Sequence, residues 1–269
     1  MTQTQADQAE AGAEDAQAPP FALITGSGKR LGRAIALKLA AAGCDVAIHY
    51  NASKAEAENV AHEIRRIGRA SVTVGFDIGD DDAIDAGFDK IAGAMGRAPD
   101  VLVNSASIYE DDDIRTVTRD ALARHMDANL FGPVQLARKL VEASSPETRG
   151  LIVNILDHRL WAPRADHLSY GLSKYALHGF TEMMARTLAP RFRVCGVAPG
   201  YTLPDVDAES AEHHDAHKDA TPLQRGPAPD DIAGACAYLL TAPAVTGQTL
   251  IVDGGAFMRP AKGDAAFEA

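Results

Sequence analysis

The sequence is poor in cysteine and in positive charge. Cys44, Cys195 and Cys236 stand far apart among 269 residues, without the spacing of a disulfide framework or a metal site. We therefore expect reduced core thiols, which suit the cytosol. The 26 Lys and Arg residues are outnumbered by 37 Asp and Glu residues, and the net charge of −11 makes nucleic acid and anionic membrane surfaces unfavourable partners.

Signals for membrane insertion and export are also missing. No apolar run approaches the ~18 residues that cross a bilayer, and the N-terminus lacks a basic region followed by an apolar segment. We expect a soluble, cytoplasmic protein. Residues 1–18 have no large apolar side chain after the first methionine, which predicts a disordered leader. No linker divides the rest, so we expect one domain over 19–269, with the polar stretch 205–221 as a lid.

Short apolar runs alternate with longer stretches of helical period through most of the chain. The predicted strands are 21–25, 46–50, 72–76, 101–104, 151–155, 194–197 and 249–252. The predicted helices are 33–42, 55–67, 80–95, 118–143, 170–188 and 230–240. This alternation predicts a Rossmann-type, doubly wound α/β fold, in which seven parallel strands form one sheet with helices on both faces.

A glycine-rich turn follows the first predicted strand and precedes the first helix, with the sequence Thr25-Gly-Ser-Gly-Lys-Arg-Leu-Gly32. Glycines at this place let the backbone approach a pyrophosphate at a helix N-terminus. Their spacing is not the strict G-x-G-x-x-G pattern, so the position carries more weight than the motif. Lys29 and Arg30 are either a solvated surface pair or partners for a ribose 2′-phosphate.

The end of the second strand distinguishes between the two nicotinamide cofactors. NAD-specific enzymes place an acidic residue there to bind the ribose hydroxyls, whereas the stretch 49–53 contains no carboxylate. A 2′-phosphate would meet no repulsion. We therefore predict NADPH as cofactor, with phosphate contacts from Arg30, Asn51 and Ser53 and a weaker contact from His49.

Tyr170 and Lys174 lie four residues apart at the start of a strongly helical stretch, so that they share one helix face. A phenol with a pKa near ~10 is a poor acid–base catalyst at neutral pH unless a neighbouring cation stabilises the phenolate. Alone, the pair would more often be a surface tyrosine beside a surface lysine. Its place after the fifth strand favours a catalytic role.

These motifs together resemble the short-chain dehydrogenase/reductase family over residues 21–258. The family's T-G-x-x-x-G-x-G motif matches at Thr25, Gly26 and Gly32, with Arg30 where the middle glycine is usual. The resemblance implies a proton-relay role for Asn129 and a homotetramer formed through helices 118–143 and 170–188. Its implied cofactor contacts include Gly26, Leu31, Asp77, Asn104, Ala106, Lys174, Pro199, Gly200 and Thr202, of which Asp77 could equally be a loop or helix-capping residue.

Position 157 departs from the family. The catalytic serine usually lies about thirteen residues before the tyrosine, where this chain has Asp157. An ionised carboxylate repels a carbonyl oxygen as it becomes an alkoxide. A carboxyl group can instead accept from ring N–H groups or, when protonated, pass a proton to an imine-type nitrogen. Asp157 therefore favours the reduction of a C=N bond over that of a simple ketone.

Three features resemble the pteridine reductases of this family: the run 29–32, His49 and Tyr50 with Ser53 after the second strand, and Asp157. This resemblance implies substrate contacts from Ser107 and from Tyr109, whose ring would sandwich a pterin against the nicotinamide. We predict an NADPH-dependent reductase of a dihydropterin-type small molecule. The predicted catalytic residues are Tyr170, Lys174, Asp157 and Asn129.

Two other functions stay open at this point. One is a carbonyl reductase of 3-oxoacyl or sugar substrates, and the other is a non-catalytic NADP(H) sensor, which would not need the intact proton relay. His213, His214 and His217 have helical spacing that could suit a metal, but a solvated lid helix is the better interpretation, and we predict no metal site. We also expect the aspartates at 111–113 in a solvated loop.

Overall fold

The computed structural model describes residues 18–204 and 221–258. The predicted leader, apart from Ala18, and the predicted lid, apart from Thr221, lie outside the described residues, as do His213, His214 and His217. The single domain over 19–269 therefore stays a prediction. Within these two ranges, no helix has both the length and the apolar character needed to span a bilayer.

Seven parallel strands form one sheet in the described part of the chain. They are β1 (Phe21–Ile24), β2 (Asp45–Tyr50), β3 (Ser71–Gly75), β4 (Val101–Asn104), β5 (Gly150–Ile155), β6 (Phe192–Pro199) and β7 (Thr249–Val252). Their order is β3-β2-β1-β4-β5-β6-β7, and the predicted fold class is confirmed. From β1 the chain builds the sheet outwards through β2 to β3 and then returns to β4, which lies on the other side of β1. Such a reversal creates a ligand crevice at the carboxyl ends of β1 and β4.

Helices cover both faces of this sheet. They are α1 (Arg30–Ala41), α2 (Lys54–Arg66), α3 (Asp81–Met95), α4 (Arg119–Met126), α5 (Gly132–Ala143), α6 (Leu168–Thr187) and α7 (Pro229–Thr241). One apolar core packs α1, α2 and α7 against one face. A second core packs α3, α5 and α6 against the other. Successive β1 residues alternate between these cores, because neighbouring strand side chains point to opposite faces.

The predicted helix 118–143 is not one regular helix. A π-helical turn over Asp127–Phe131 separates α4 from α5. Such turns are rare and are found most often at functional sites. Here the turn contains Asn129, whose side chain is buried. The sequence pattern did not reveal this turn, because the apolar periodicity continues through it.

Candidate active site

The glycine-rich turn depends on close backbone contacts. A Cβ atom at Gly32 would lie 2.3 Å from the carbonyl oxygen of Gly26, and one at Gly28 would lie 3.2 Å from the backbone nitrogen of Ala57. Side chains at these two positions would therefore push α1 away from the turn and the turn away from the first residues of α2. The close packing leaves the backbone exposed where a pyrophosphate can approach it.

Arg30 adopts a left-handed backbone conformation, with φ of +49°. Glycine adopts this conformation at little cost, which explains why the family usually has a glycine here. The Arg30 guanidinium donates a hydrogen bond to the carbonyl of Pro204 at 2.8 Å and is exposed. Lys29 instead forms an ion pair with Glu56 at 2.7 Å. Arg30, which has no carboxylate partner among the described residues, is thus the better placed cation for a phosphate.

The side chain of His49 is committed to the protein. Its Nδ1 accepts the backbone N–H of Gly26 at 3.1 Å, and its Nε2 lies 2.9 Å from the carbonyl oxygen of Phe76. Burial lowers the pKa of this imidazole to about 4, so that the ring is neutral at physiological pH. His49 therefore supports the glycine turn. The predicted phosphate contact from His49 is wrong, because both its ring nitrogens already contact the protein backbone. Asn51 is exposed, and Ser53 precedes α2 without using its hydroxyl as a cap.

Polar side chains connect the ends of the central strands. The hydroxyl of Thr25 accepts the backbone N–H groups of Ser105 and Ala106, both at 2.9 Å. The Asn104 amide donates to Asn154 Oδ1 at 2.8 Å, while its own Oδ1 is buried with no partner among the described residues. These bonds hold the carboxyl ends of β1, β4 and β5 in a fixed relation around the crevice.

Asp77 lies in an exposed loop after β3. Its carboxylate accepts the backbone N–H of Gly79 at 2.9 Å. Asp80, not Asp77, caps α3 by accepting the N–H of Ala83. The helix-capping alternative for Asp77 is therefore excluded, and its contact with an adenine stays a prediction.

Tyr170, Asp157 and Lys174 meet at the carboxyl end of β5. The Tyr170 hydroxyl donates to Asp157 Oδ2 at 2.8 Å, and the other carboxylate oxygen accepts the Arg159 backbone N–H at 2.8 Å. The Lys174 ammonium donates to the Ile155 carbonyl at 2.9 Å and lies 5.5 Å from the centre of the Tyr170 ring. The structure thus places the predicted tyrosine, lysine and aspartate in one group.

Burial and charge set the protonation of this group. Burial raises the pKa of Tyr170 well above its usual value, and Asp157 raises it further by its charge and its hydrogen bond. Burial lowers the pKa of Lys174 to about 8, against the opposing effect of Asp157. At neutral pH the phenol therefore carries its proton, and the lysine is a cation close to the pH at which it titrates.

Asn129 fixes the loop after β4. Its Oδ1 accepts the Ile108 N–H at 2.9 Å and the Ser107 hydroxyl at 3.0 Å. Its amide donates to the Ile108 carbonyl at 3.1 Å and to the Ser173 hydroxyl at 3.0 Å. The side chain thereby connects the π-helical turn, the loop of Ser107 and Tyr109, and helix α6.

The ring of Tyr109 stacks on His167, with centroids 4.1 Å apart and an interplanar angle of 15°, and it forms a T-shaped pair with Tyr170, with centroids 4.8 Å apart. His167 covers one face of this ring, so a pterin sandwich could use only the other face.

Asp112 corrects the prediction of a wholly solvated loop at 111–113. Its carboxylate is buried and accepts both the backbone N–H and the hydroxyl of Ser169. Unpaired N–H groups and the helix dipole at the start of a helix favour such an anion. Asp112 therefore anchors the loop of Tyr109 to the first turn of α6, the helix that carries Tyr170.

A cavity of about 270 Å³ contains most of these groups. Predicted residues that line it are Arg30, Leu31, Ser107, Tyr109, Asp157, Tyr170, Lys174, Pro199, Gly200 and Thr202. Gly200 packs against Asp253, and the Thr202 hydroxyl donates to the Gly200 carbonyl at 2.8 Å. His158, Arg159 and Tyr201 also line the cavity; the sequence could not show the direction of the His158 and Arg159 side chains, and none of the three was assigned to the site. Their only sequence signal is adjacency to Asp157 and to Gly200.

Known proteins are similar to this chain over most of its length. The family model described as Enoyl-(Acyl carrier protein) reductase matches residues 26–256. The 3-oxoacyl-(acyl-carrier-protein) reductase FabG of Staphylococcus aureus is 33% identical over 241 residues, which are 88% of this chain and 98% of that protein.

Solved structures agree with this match. The FolM alternative dihydrofolate reductase 1 from Brucella canis, complexed with NADP, is 33% identical with a TM-score of 0.87, covering 92% of this chain and 98% of that chain. A short chain dehydrogenase from Burkholderia cenocepacia, in complex with NADP, is 32% identical with a TM-score of 0.81, covering 88% of this chain and 97% of that chain. The chain belongs to the short-chain dehydrogenase/reductase family.

Proposed function

We propose that this chain is an NADPH-dependent reductase of a pterin-type heterocycle, such as a dihydropteridine or a dihydrofolate-like compound. The observation that carries the proposal is the hydrogen bond from Tyr170 to Asp157 in the wall of the cavity. It puts a carboxylate where the family usually has a neutral serine. The similarity to the Brucella canis protein, whose name is a dihydrofolate reductase, supports the same substrate class.

The cofactor of this reaction is NADPH, and the residues present fit it. Gly28 and Gly32 have no side chain that would fill the turn, and Arg30 places a cation beside the turn. Asn51 and Ser53 complete the proposed 2′-phosphate site without a carboxylate. Lys174, whose ammonium reaches the Ile155 carbonyl, would also hold the nicotinamide ribose. When bound, NADPH supplies the hydride.

The chain's own residues supply the proton and stabilise the charge that its transfer leaves behind. Reduction of a C=N bond adds a hydride to carbon and a proton to nitrogen, and the Tyr170 hydroxyl is the proton donor. The Lys174 cation stabilises the phenolate that remains. Ionised Asp157 orients the phenol and accepts N–H groups of the heterocycle; a protonated Asp157 would instead pass its own proton to the ring nitrogen. A buried site that excludes water strengthens each of these interactions.

NADPH consumption tests the proposal. Purified protein is mixed with NADPH and, separately, with 7,8-dihydropterins, 3-oxoacyl thioesters and sugars, and the loss of NADPH absorbance is followed. The proposal requires turnover of at least one dihydropterin with a kcat/KM well above that of the carbonyl compounds. No NADPH oxidation with any dihydropterin, together with turnover of a thioester or sugar, would contradict it.

A 3-oxoacyl or sugar carbonyl reductase is the second candidate. The similarity to FabG favours it, and the pair of Tyr170 and Lys174 would serve either reaction. Binding of NADPH without turnover of any pterin, quinone or carbonyl would instead support a sensor. The predicted homotetramer and cytoplasmic location stay predictions.

A further inference from the structure

We propose that Arg159 is a specificity residue that selects substrates with an anionic substituent, a carboxylate or a phosphate, attached beyond the reduced ring. The inference rests on the proposed function, because it concerns the same cavity. The positive charge of Arg159 lies in the wall of this cavity and takes no part in the proposed hydride and proton transfers.

The backbone that holds Asp157 also positions Arg159. The two residues belong to one short turn, in which the Arg159 N–H donates to Asp157 Oδ1 at 2.8 Å. Asp157 faces the heterocycle in the proposed reaction. A substrate ring that reaches Asp157 therefore lies beside Arg159, and a substituent on that ring comes within range of the guanidinium.

The Arg159 guanidinium is held in place within the cavity wall. Its Nη2 donates to the Tyr201 hydroxyl at 3.3 Å, and its carbon lies 5.6 Å from the centre of the Tyr109 ring. Only 12% of the side chain is exposed. Both contacts are with neutral groups, which orient the cation without neutralising it.

The Arg159 guanidinium makes no hydrogen bond to a carboxylate among the described residues. Within the described part of the chain, its ion-pair partner is Asp166, at 3.8 Å from Nη1, and that nitrogen makes no hydrogen bond there. Asp166 is shared, since Arg164 Nε lies 3.2 Å and His167 Nδ1 lies 3.5 Å from its carboxylate. The oxygens of Asp157 accept from the Tyr170 hydroxyl and a backbone N–H. A buried guanidinium N–H group is costly when it lacks a hydrogen-bond acceptor, and Arg159 Nη1 lacks one among the described residues.

Arg164 adds a second cation to the same wall. Its Nη1 donates to the Tyr201 hydroxyl at 3.1 Å, so two guanidinium groups converge on one neutral oxygen. Asp157 and Asp166 balance the formal charge of these two arginines, but among the described residues neither carboxylate accepts a hydrogen bond from Arg159 Nη1. The planar fork of an arginine matches a carboxylate or a phosphate. An anionic substituent on the substrate would supply the missing partner.

Steady-state kinetics with four dihydropterins test this inference. With saturating NADPH, kcat and KM are measured for 7,8-dihydrofolate and 7,8-dihydropteroate, which carry carboxylates, for 7,8-dihydroneopterin phosphate, and for neutral 7,8-dihydrobiopterin. We expect the wild type to prefer an anionic substrate. In Arg159→Gln, the ratio of kcat/KM for anionic over neutral substrate should fall about ten- to a hundredfold, mainly through KM. The compound with the largest loss distinguishes carboxylate from phosphate.

Two further variants serve as comparisons. Arg159→Lys keeps the charge but not the planar fork. Its ratio of kcat/KM for anionic over neutral substrate should therefore lie between those of the wild type and Arg159→Gln. This variant keeps the inference testable when Arg159→Gln is unstable. Arg149→Gln removes an exposed arginine whose side-chain hydrogen bonds, among the described residues, go to backbone carbonyls, and this variant should behave as the wild type. Equal losses for anionic and neutral substrates in Arg159→Gln would overturn the inference. Turnover of none of the four by the wild type would overturn the proposed function and this inference together.

Discussion

The hydroxyl of Tyr170 lies 2.8 Å from Asp157 Oδ2, and this hydrogen bond joins a residue typical of the family to the residue in which this chain departs from it. The tyrosine comes from the first turns of α6 and the aspartate from the end of β5. With serine at position 157, the phenol would face a neutral partner. Here it faces a carboxylate, which can accept N–H groups and disfavours a developing alkoxide, and the substrate preference that we propose rests on this difference.

Activity should fall on the alkaline side as Lys174 loses its proton. Its pKa is lowered to about 8 by burial, and the neutral amine no longer stabilises a Tyr170 phenolate. We expect kcat/KM to decrease through about pH 8, and Lys174→Arg, if active, to move this decrease to higher pH. Lys54→Arg, at an exposed position, is the control. An unchanged alkaline limb in Lys174→Arg would contradict the assignment.

Replacing Arg30 with glycine should weaken the binding of NADPH but increase the stability of the fold. In Arg30→Gly, KM for NADPH should rise about tenfold or more through loss of a charge-assisted hydrogen bond to the 2′-phosphate, while KM for NADH stays unchanged. Relief of the left-handed conformation should raise the free energy of unfolding by about 1 kcal/mol. Arg33→Gln, which breaks a surface pair with Glu63, serves as comparison. Equal effects on both cofactors would argue against a phosphate contact.

His49 should make the fold sensitive to mild acid. Its pKa is about 4 in the folded protein against an ordinary value of 6.5, so the unfolded chain binds the proton first as pH falls. This contribution to stability is complete above pH 6.5 and is lost progressively towards pH 4, by about 3 kcal/mol at most. Urea unfolding at several pH values should show a shallower acid loss in His49→Gln than in the exposed His62→Gln. Equal slopes would refute the account.

Asp112 should stabilise the first turn of α6. Asp112→Ala removes the acceptor for the Ser169 N–H and hydroxyl, and we expect the free energy of unfolding to drop by about 2 kcal/mol. The activity should drop as well, because the same bonds hold the loop of Tyr109. Asp111→Ala, at a side chain that is 82% exposed, is the matched control, and equal stability of the two variants would disprove the capping role.

The sheet was predictable from the sequence because parallel strands covered on both faces are almost continuous apolar runs. All four residues of β1 are buried, and each predicted strand end lies within two residues of the observed one. Tyr170 and Lys174 were found from their spacing and their place after the fifth strand, and Asp157 from the family resemblance, because it stands where the family usually has its serine. Their spacing puts them at one sheet edge in any fold of this type.

The direction of individual side chains was not predictable. Asp112 was expected in solvent because nothing near it in sequence reveals Ser169, which lies 57 residues away. His49 was predicted as a weaker phosphate contact, but both its ring nitrogens are used by the backbone of Gly26 and Phe76. The direction of Arg159 could not be read from the sequence, because its contacts are with Tyr201 and Asp166, which come from other segments. Such contacts are tertiary, and periodicity does not encode them.

The most direct test of the central claim is the substrate preference of Asp157→Ser. This variant restores the neutral hydroxyl that the family usually has, while Tyr170 and Lys174 are unchanged. We predict that kcat/KM for a 7,8-dihydropterin falls by about a hundredfold or more, while kcat/KM for a 3-oxoacyl thioester or another ketone is kept or rises. Retention of dihydropterin reduction together with loss of ketone reduction in Asp157→Ser would contradict the account.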